Sequence, residues 1–258
     1  MTIQYKGVSV HFEVSGEGKP IVLLHGFLEN AKMWQHLTKT LNGSCQVIAI
    51  DLLGHGETEC LGYIHTMEDM ADMVHAVLEH LGVSKAAVIG HSMGGYVALA
   101  LAELFPENVL SVCLLNSTAE GDSEERQLNR DRAVKAVKQN HRAFVSMAIS
   151  NLFAEDNRER FSDVIDQVRS EALKTPLQGI IAALEGMKIR KDRRKQFVNA
   201  KYKKLLVIGL KDPVLDYESV MAYVGNSDIE LVEFADGHMS YIENKKELDY
   251  KIFQFIEK

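Results

Sequence analysis

Hydrophobic positions along this chain fall into two alternating patterns. Short continuous apolar runs occupy Ile21–Leu24, Cys45–Ile50, Ala86–Ile89, Val109–Leu115, Lys204–Ile208 and Ile229–Phe234. Between most of them apolar residues recur at helical spacing, over Ala31–Leu41, Met67–Leu81, Gly95–Phe105, Tyr217–Val224 and Lys245–Glu257. Runs that are apolar on both faces and separated by helices predict a mostly parallel sheet covered on each side. Near the N-terminus, about Ile3–Tyr5 and Val8–Val14 alternate across a Lys6-Gly7 turn. That pattern predicts an antiparallel hairpin at the sheet edge, and eight strands in all.

The alternation stops after Leu115. From Ser117 to about Phe197 the chain carries only charged helical patterns, over Glu124–Asn140, Ala143–Leu152, Asn157–Lys174 and Pro176–Met187. These predict a helical lid, residues 118–197, inserted after the sixth strand into a core made of residues 1–117 and 198–258.

Composition narrows the class. The 258 residues are 46% hydrophobic and 25% charged, which suits one soluble α/β domain with an insertion. A net charge of −7 argues against nucleic acid as a partner. The lid has 16 Lys+Arg and 13 Asp+Glu, hence +3, which leaves −10 for the rest. A basic lid over an acidic core would suit an anionic substrate, although solvated helix faces explain the counts more simply. Cys45, Cys60 and Cys113 show no metal-ligand spacing and read as reduced thiols. With no signal-peptide pattern and no apolar run of membrane-spanning length, the expected location is cytoplasmic, away from membranes.

Candidate chemistry centres on the segment AAVIGHSMGGYVA at residues 86–98, where Gly90, Ser92 and Gly94 fit G-x-S-x-G. A strand turning sharply into a helix strains the serine and crowds its neighbours, and glycines relieve that crowding. A serine hydroxyl needs a base to take its proton, and the base needs an acid to hold its tautomer. Asp212 directly follows the run 204–208, and His238 follows the run 229–234. In a parallel sheet these loops open at one edge, so Ser92, Asp212 and His238 can converge as nucleophile, acid and base. An oxyanion hole is also required. The N–H of Met93, opening a helix, and the N–H of Phe27, after the run 21–24, are its candidate donors. Asp216, Glu120 and Asp122 are the rival acids. His25, His55 and His91 lie close to the site and read as builders of hydrogen bonds beneath the loops.

The motifs His25-Gly26-Phe27, Asp51 to Gly56, Gly90 to Gly95, Gly209 to Asp212 and Gly237-His238 with Glu243 together resemble the α/β-hydrolase superfamily, specifically its lid-bearing serine hydrolases. The resemblance spans nearly the whole chain and weakens in the lid. It implies the fold and the roles of Ser92, Asp212 and His238. Haloalkane dehalogenases and epoxide hydrolases of that fold use an aspartate where this chain has Ser92, so their activities are not expected. The expected activity is esterase-like, on a small or medium carboxylic ester, with a small-molecule substrate held between core and lid. Trp34, Met147, Leu152 and Leu215 are its candidate contacts. Alternatives on the same triad are C–C bond hydrolysis, cofactor-free perhydrolysis and a lyase-type step in menaquinone synthesis. A non-catalytic ligand-binding protein is a further one. Neither a nucleotide loop nor a metal-ligand pattern is present, so no cofactor and no metal are expected.

Overall fold

The computed structural model describes residues 1–225 and 227–257. Its eight strands are β1 Thr2–Tyr5, β2 Val8–Ser15, β3 Lys19–Leu24, β4 Cys45–Ile50, β5 Ala86–His91, β6 Val109–Leu115, β7 Lys203–Gly209 and β8 Glu230–Phe234. They form one sheet in the order β1-β2-β4-β3-β5-β6-β7-β8. β1 and β2 pair as the antiparallel hairpin, β2 joins β4 antiparallel, and every other pairing is parallel. The core helices are α1 Gln35–Leu41, α2 Met67–His80 and α3 Met93–Leu104. Four further helices, α4 Glu124–Gln139, α5 His141–Ser150, α6 Ser162–Ala172 and α7 Leu177–Lys188, form the insertion after β6. α8 Arg194–Asn199, α9 Tyr217–Val224, α10 Ser240–Glu243 and α11 Lys245–Glu257 complete the chain.

The pleat explains why the central strands are apolar throughout. Val22, Leu24, Ile48, Ile50, Val88, Val112 and Leu114 face one side, where they join Met70, Val74, Val97 and Leu101 of α2 and α3. Their neighbours Ile21, Leu23, Val47, Ala49, Ile89, Cys113 and Leu115 face the other side and join Leu37, Leu41, Leu248, Ile252 and Phe255 of α1 and α11. Successive side chains alternate across a strand, so burial on both faces requires an unbroken apolar run.

Several details differ from the sequence pattern. The stretch 31–41 begins with a 3-10 turn, Ala31–Trp34, before α1 starts. The stretch 157–174 becomes helical only at Ser162, because Glu155–Asn157 form a separate turn. α8 and α10 are too short to leave a periodic signature. The insertion is stapled to the core by Arg193, whose Nη2 donates to Glu68 and Glu103, each at 2.7 Å. Among the described residues no helix is long and apolar enough to cross a membrane.

Candidate active site

Ser92 stands at the turn from β5 into α3 with φ +50° and ψ −114°. An L-residue held there stores roughly 1–3 kcal/mol of strain, which the surroundings must over-determine. They do so at close range. A Cβ on Gly94 would run into the carbonyls of Leu24 and His25, and one on Gly90 would run into Gly94. The Ser92 N–H donates to Leu115 O at 3.0 Å, and Ser117 Oγ donates to Ser92 O at 2.7 Å. The elbow is thereby locked between β3 and the end of β6.

Asp212 sits in the turn after β7 and divides its oxygens between two tasks. Oδ1 accepts from the N–H groups of Val214 at 2.8 Å and Leu215 at 3.1 Å, which shapes the turn. Oδ2 accepts from His238 Nδ1 at 2.7 Å and from Asn116 Nδ2 at 3.1 Å. Burial by itself would raise the Asp212 pKa. The adjacent imidazole and the donated hydrogen bonds outweigh it and hold the carboxyl below its ordinary range. Donation from Nδ1 leaves His238 Nε2 with its lone pair free to accept a proton. Of the rival acids, Asp216 caps α9 through Ser219 N, Glu120 accepts from Ser219 Oγ, and Asp122 is occupied by arginines.

Ser92 and His238 line one cavity, partly open to solvent, between the sheet edge and the helical insertion. Among the described residues the Ser92 hydroxyl makes no side-chain hydrogen bond. Serine–histidine contacts of this kind commonly tighten only in the Michaelis complex. Phe27 borders the same cavity. Met93 opens α3, so its N–H has no acceptor within the helix and is available to an oxyanion.

The anticipated substrate contacts divide. Leu152 lines the cavity together with Ala148. Trp34 is 1% exposed and packs on the opposite face of the sheet with Leu37 and Leu41, so it does not reach the cavity. Met147 is 59% exposed on the outer side of α5. Leu215 is buried in the core behind Asp212 and serves that carboxylate through its N–H. A signal for α5 was present in the sequence, because residues 145, 148, 149 and 152 form one helical stripe from which 147 is excluded. Leu28, Glu29, Tyr96, Arg130, Met187 and Val214 also line the cavity and had no such signal. Asn116 is a further omission, with its amide bridging Asp212 Oδ2 and Gly237 O.

The nearby histidines are held by hydrogen bonds. His25 Nδ1 donates to Gly26 O, and its Nε2 accepts from Leu52 N. That pattern fixes a neutral ring, and burial lowers its pKa. Burial likewise pushes His55 down to about 3. His91 differs, with Nδ1 2.7 Å from Glu29 Oε2 and Nε2 3.0 Å from His238 O. A carboxylate on one side and a carbonyl on the other offer acceptors to both ring nitrogens, an arrangement that favours the doubly protonated ring. Burial opposes that charge, but Glu29 overrides it and raises the His91 pKa. Among the described residues no three His, Cys, Asp or Glu side chains gather in a metal-binding cluster.

A family model described as alpha/beta hydrolase fold matches residues 19–245. The chain belongs to the alpha/beta-hydrolase fold family. Its similarity to individual family members extends over most of its length. It is 31% identical over 252 residues to the dihydrolipoyllysine-residue acetyltransferase component of an acetoin cleaving system from Pseudomonas putida, covering 96% of this chain and 66% of that one. The corresponding Cupriavidus necator component is covered to 65%, so the chain spans just under two thirds of these curated relatives. Among solved alpha/beta-hydrolase structures, a thermophilic esterase from Thermogutta terrifontis is 29% identical at a TM-score of 0.92, with 99% of this chain and 96% of that chain covered. The enol-lactonase from Burkholderia xenovorans LB400 shares the fold at a TM-score of 0.92 and 24% identity, with both chains fully covered.

Proposed function

We propose that this chain is a serine hydrolase that cleaves a small or medium carboxylic ester through an acyl-enzyme intermediate. The observation that carries this reading is the 2.7 Å bond from His238 to Asp212, at a cavity shared with Ser92 on its strained turn. Likeness to a solved esterase at 29% identity supports it.

The steps follow from the geometry. His238 Nε2 takes the Ser92 hydroxyl proton as Oγ attacks the acyl carbon. The carbonyl oxygen becomes an oxyanion that the N–H groups of Met93 and Phe27 receive. Asp212 holds the imidazole and balances the charge it acquires. His238 then returns the proton to the departing alcohol oxygen, and Ser92 carries the acyl group. A water molecule, deprotonated by His238, attacks this ester, and as the tetrahedral species collapses His238 returns that proton to Ser92 Oγ, which restores Ser92 and releases the acid.

A fluorophosphonate probe and p-nitrophenyl acetate and butyrate test the proposal together. The intact protein is expected to label and turn over, with kcat falling by roughly 10⁴ or more in Ser92→Ala at unchanged fold. Labelling that persists in Ser92→Ala would remove this serine from the chemistry. Cleavage of a vinylogous diketone with neither ester touched would favour C–C hydrolysis instead.

A further inference from the structure

We propose that Arg130 is the anion-recognition residue of the Ser92 cavity, and that the preferred substrate is an ester bearing a carboxylate. This rests on the ester-hydrolase reading and narrows its substrate class.

Arg130 projects from lid helix α4 and lines the cavity together with Ser92 and His238. Its Nε donates to Asp122 Oδ2 at 3.0 Å, which fixes the guanidinium plane. Asp122 does not need Arg130 for neutrality. The Asp122 carboxylate is fully buried and is already paired through Oδ1 with Arg190, itself buried. Arg190 is anchored further by Glu120 O at 2.9 Å and Met187 O at 3.1 Å, and it lies 4.1 Å from the Tyr96 ring centroid. Two guanidinium groups thus share one carboxylate, and the surplus positive charge falls on the arginine that borders the cavity.

The other charged groups at the cavity do not consume that surplus. Glu29 forms an ion pair with His91 and accepts from Tyr241 Oη at 2.9 Å. Asp212 is occupied by His238 and Asn116. Apart from Nε, the Arg130 guanidinium keeps an edge of Nη groups whose fork matches two carboxylate oxygens. The side chain is 21% exposed, and Leu152, Met187 and Val214 border the same space, so an anion there would be largely desolvated. A cation beside apolar walls selects an anionic partner over a neutral one of equal size.

Four esters test this. Monomethyl glutarate carries the carboxylate on its acyl side and 4-acetoxybutanoate carries it on its alcohol side. Methyl pentanoate and pentyl acetate are the neutral counterparts. Wild-type kcat/KM is expected to favour at least one anion over its counterpart by about tenfold or more, and the favoured anion shows which side faces Arg130. In Arg130→Met that preference is expected to vanish, the anionic-to-neutral ratio of kcat/KM falling to about one, with Arg130→Gln as a second variant should Met impair folding. An unchanged preference would overturn the proposal, as would an equal loss on both members of each pair, which marks a structural role. Binding of monomethyl glutarate and 4-acetoxybutanoate to Ser92→Ala, followed by NMR titration, separates this from failure of the ester reading. The favoured anion is expected to bind tenfold or more weakly once Arg130→Met is added. Equal binding sinks the role of Arg130, whereas selective binding without turnover of any ester sinks only the hydrolase reading.

Discussion

Asp212 shows how one carboxylate does the work of two residues. Turn formation and orientation of His238 use different oxygens, so the two roles coexist rather than compete. Asn116 secures the second role, and its backbone sits at φ +45°, a region asparagine tolerates better than most residues. Replacing it with glycine keeps that backbone accessible while deleting the amide. Asn116→Gly is therefore expected to lower kcat by about ten- to hundredfold, the value of one hydrogen bond to a charged group. Equal kcat in stopped-flow or steady-state assays would show that His238 alone positions the acid. The placement of Ser92, Asp212 and His238 at one sheet edge was legible because each follows an apolar run. Asn116 was not, since nothing in Asn116-Ser117-Thr118 distinguishes the side chain that turns toward Asp212.

Among the elements of the insertion, α7 packs its backbone directly against the core. His65 N donates to Ala182 O at 2.9 Å, and a Cβ on Gly186 would collide with the His65 carbonyl. Gly179 faces Gly54 in the same manner. The helix lies backbone to backbone on the loop after β4, and its position sets one wall of the cavity through Met187. Gly186→Ala is expected to destabilise the protein by about 1–3 kcal/mol in urea unfolding, because the helix must lift away. Gly43→Ala, where the added methyl meets open space, is the control and should change stability by about 0.5 kcal/mol or less. Equal midpoints for the two variants would mean that the loop yields without cost. Helical periodicity in 176–187 showed that a helix forms there. The need for glycine at two positions in it depends on a loop more than a hundred residues earlier.

Across the whole molecule, Glu29, His91 and Tyr241 tie three distant segments together beneath His238. Burial would raise the Glu29 pKa, but His91 and the Tyr241 hydroxyl reverse the shift and lower it. The lowered Glu29 contributes stability above about pH 4.5, its ordinary value, and loses it as pH falls through the folded value. The raised His91 contributes fully below about pH 6.5 and loses it as pH rises through its folded value. The double variant Glu29→Gln/His91→Gln titrates at neither position. The stability difference between wild type and this variant should therefore peak between about pH 4.5 and 6.5, whatever its absolute sign. A flat difference across pH 3–9, from chemical denaturation at each pH, would show that the pair is not ionised. The helical insertion and the loop of His238 are coupled at the same scale. His238 N donates to Leu152 O at 2.8 Å, and Glu243 accepts from Ala154 N and Asn157 Nδ2, each near 3 Å, and from Gly237 N at 3.1 Å.

The amino-acid order by itself determined the mostly parallel sheet, the edge hairpin, the place of the helical insertion and the strand ends that carry Ser92, Asp212 and His238. Each of these is written in local periodicity or in a residue's distance from an apolar run. What only the tertiary structure decided is which side chains face the cavity. Trp34 and Met147 have suitable chemistry but point into the opposite core layer and into solvent, whereas Arg130 and Tyr96 face inward. The lid's orientation on the core selects among them. That orientation is set by close backbone contacts and by the ion pairs of Arg193 with Glu68 and Glu103, between segments remote in sequence, which no local pattern encodes.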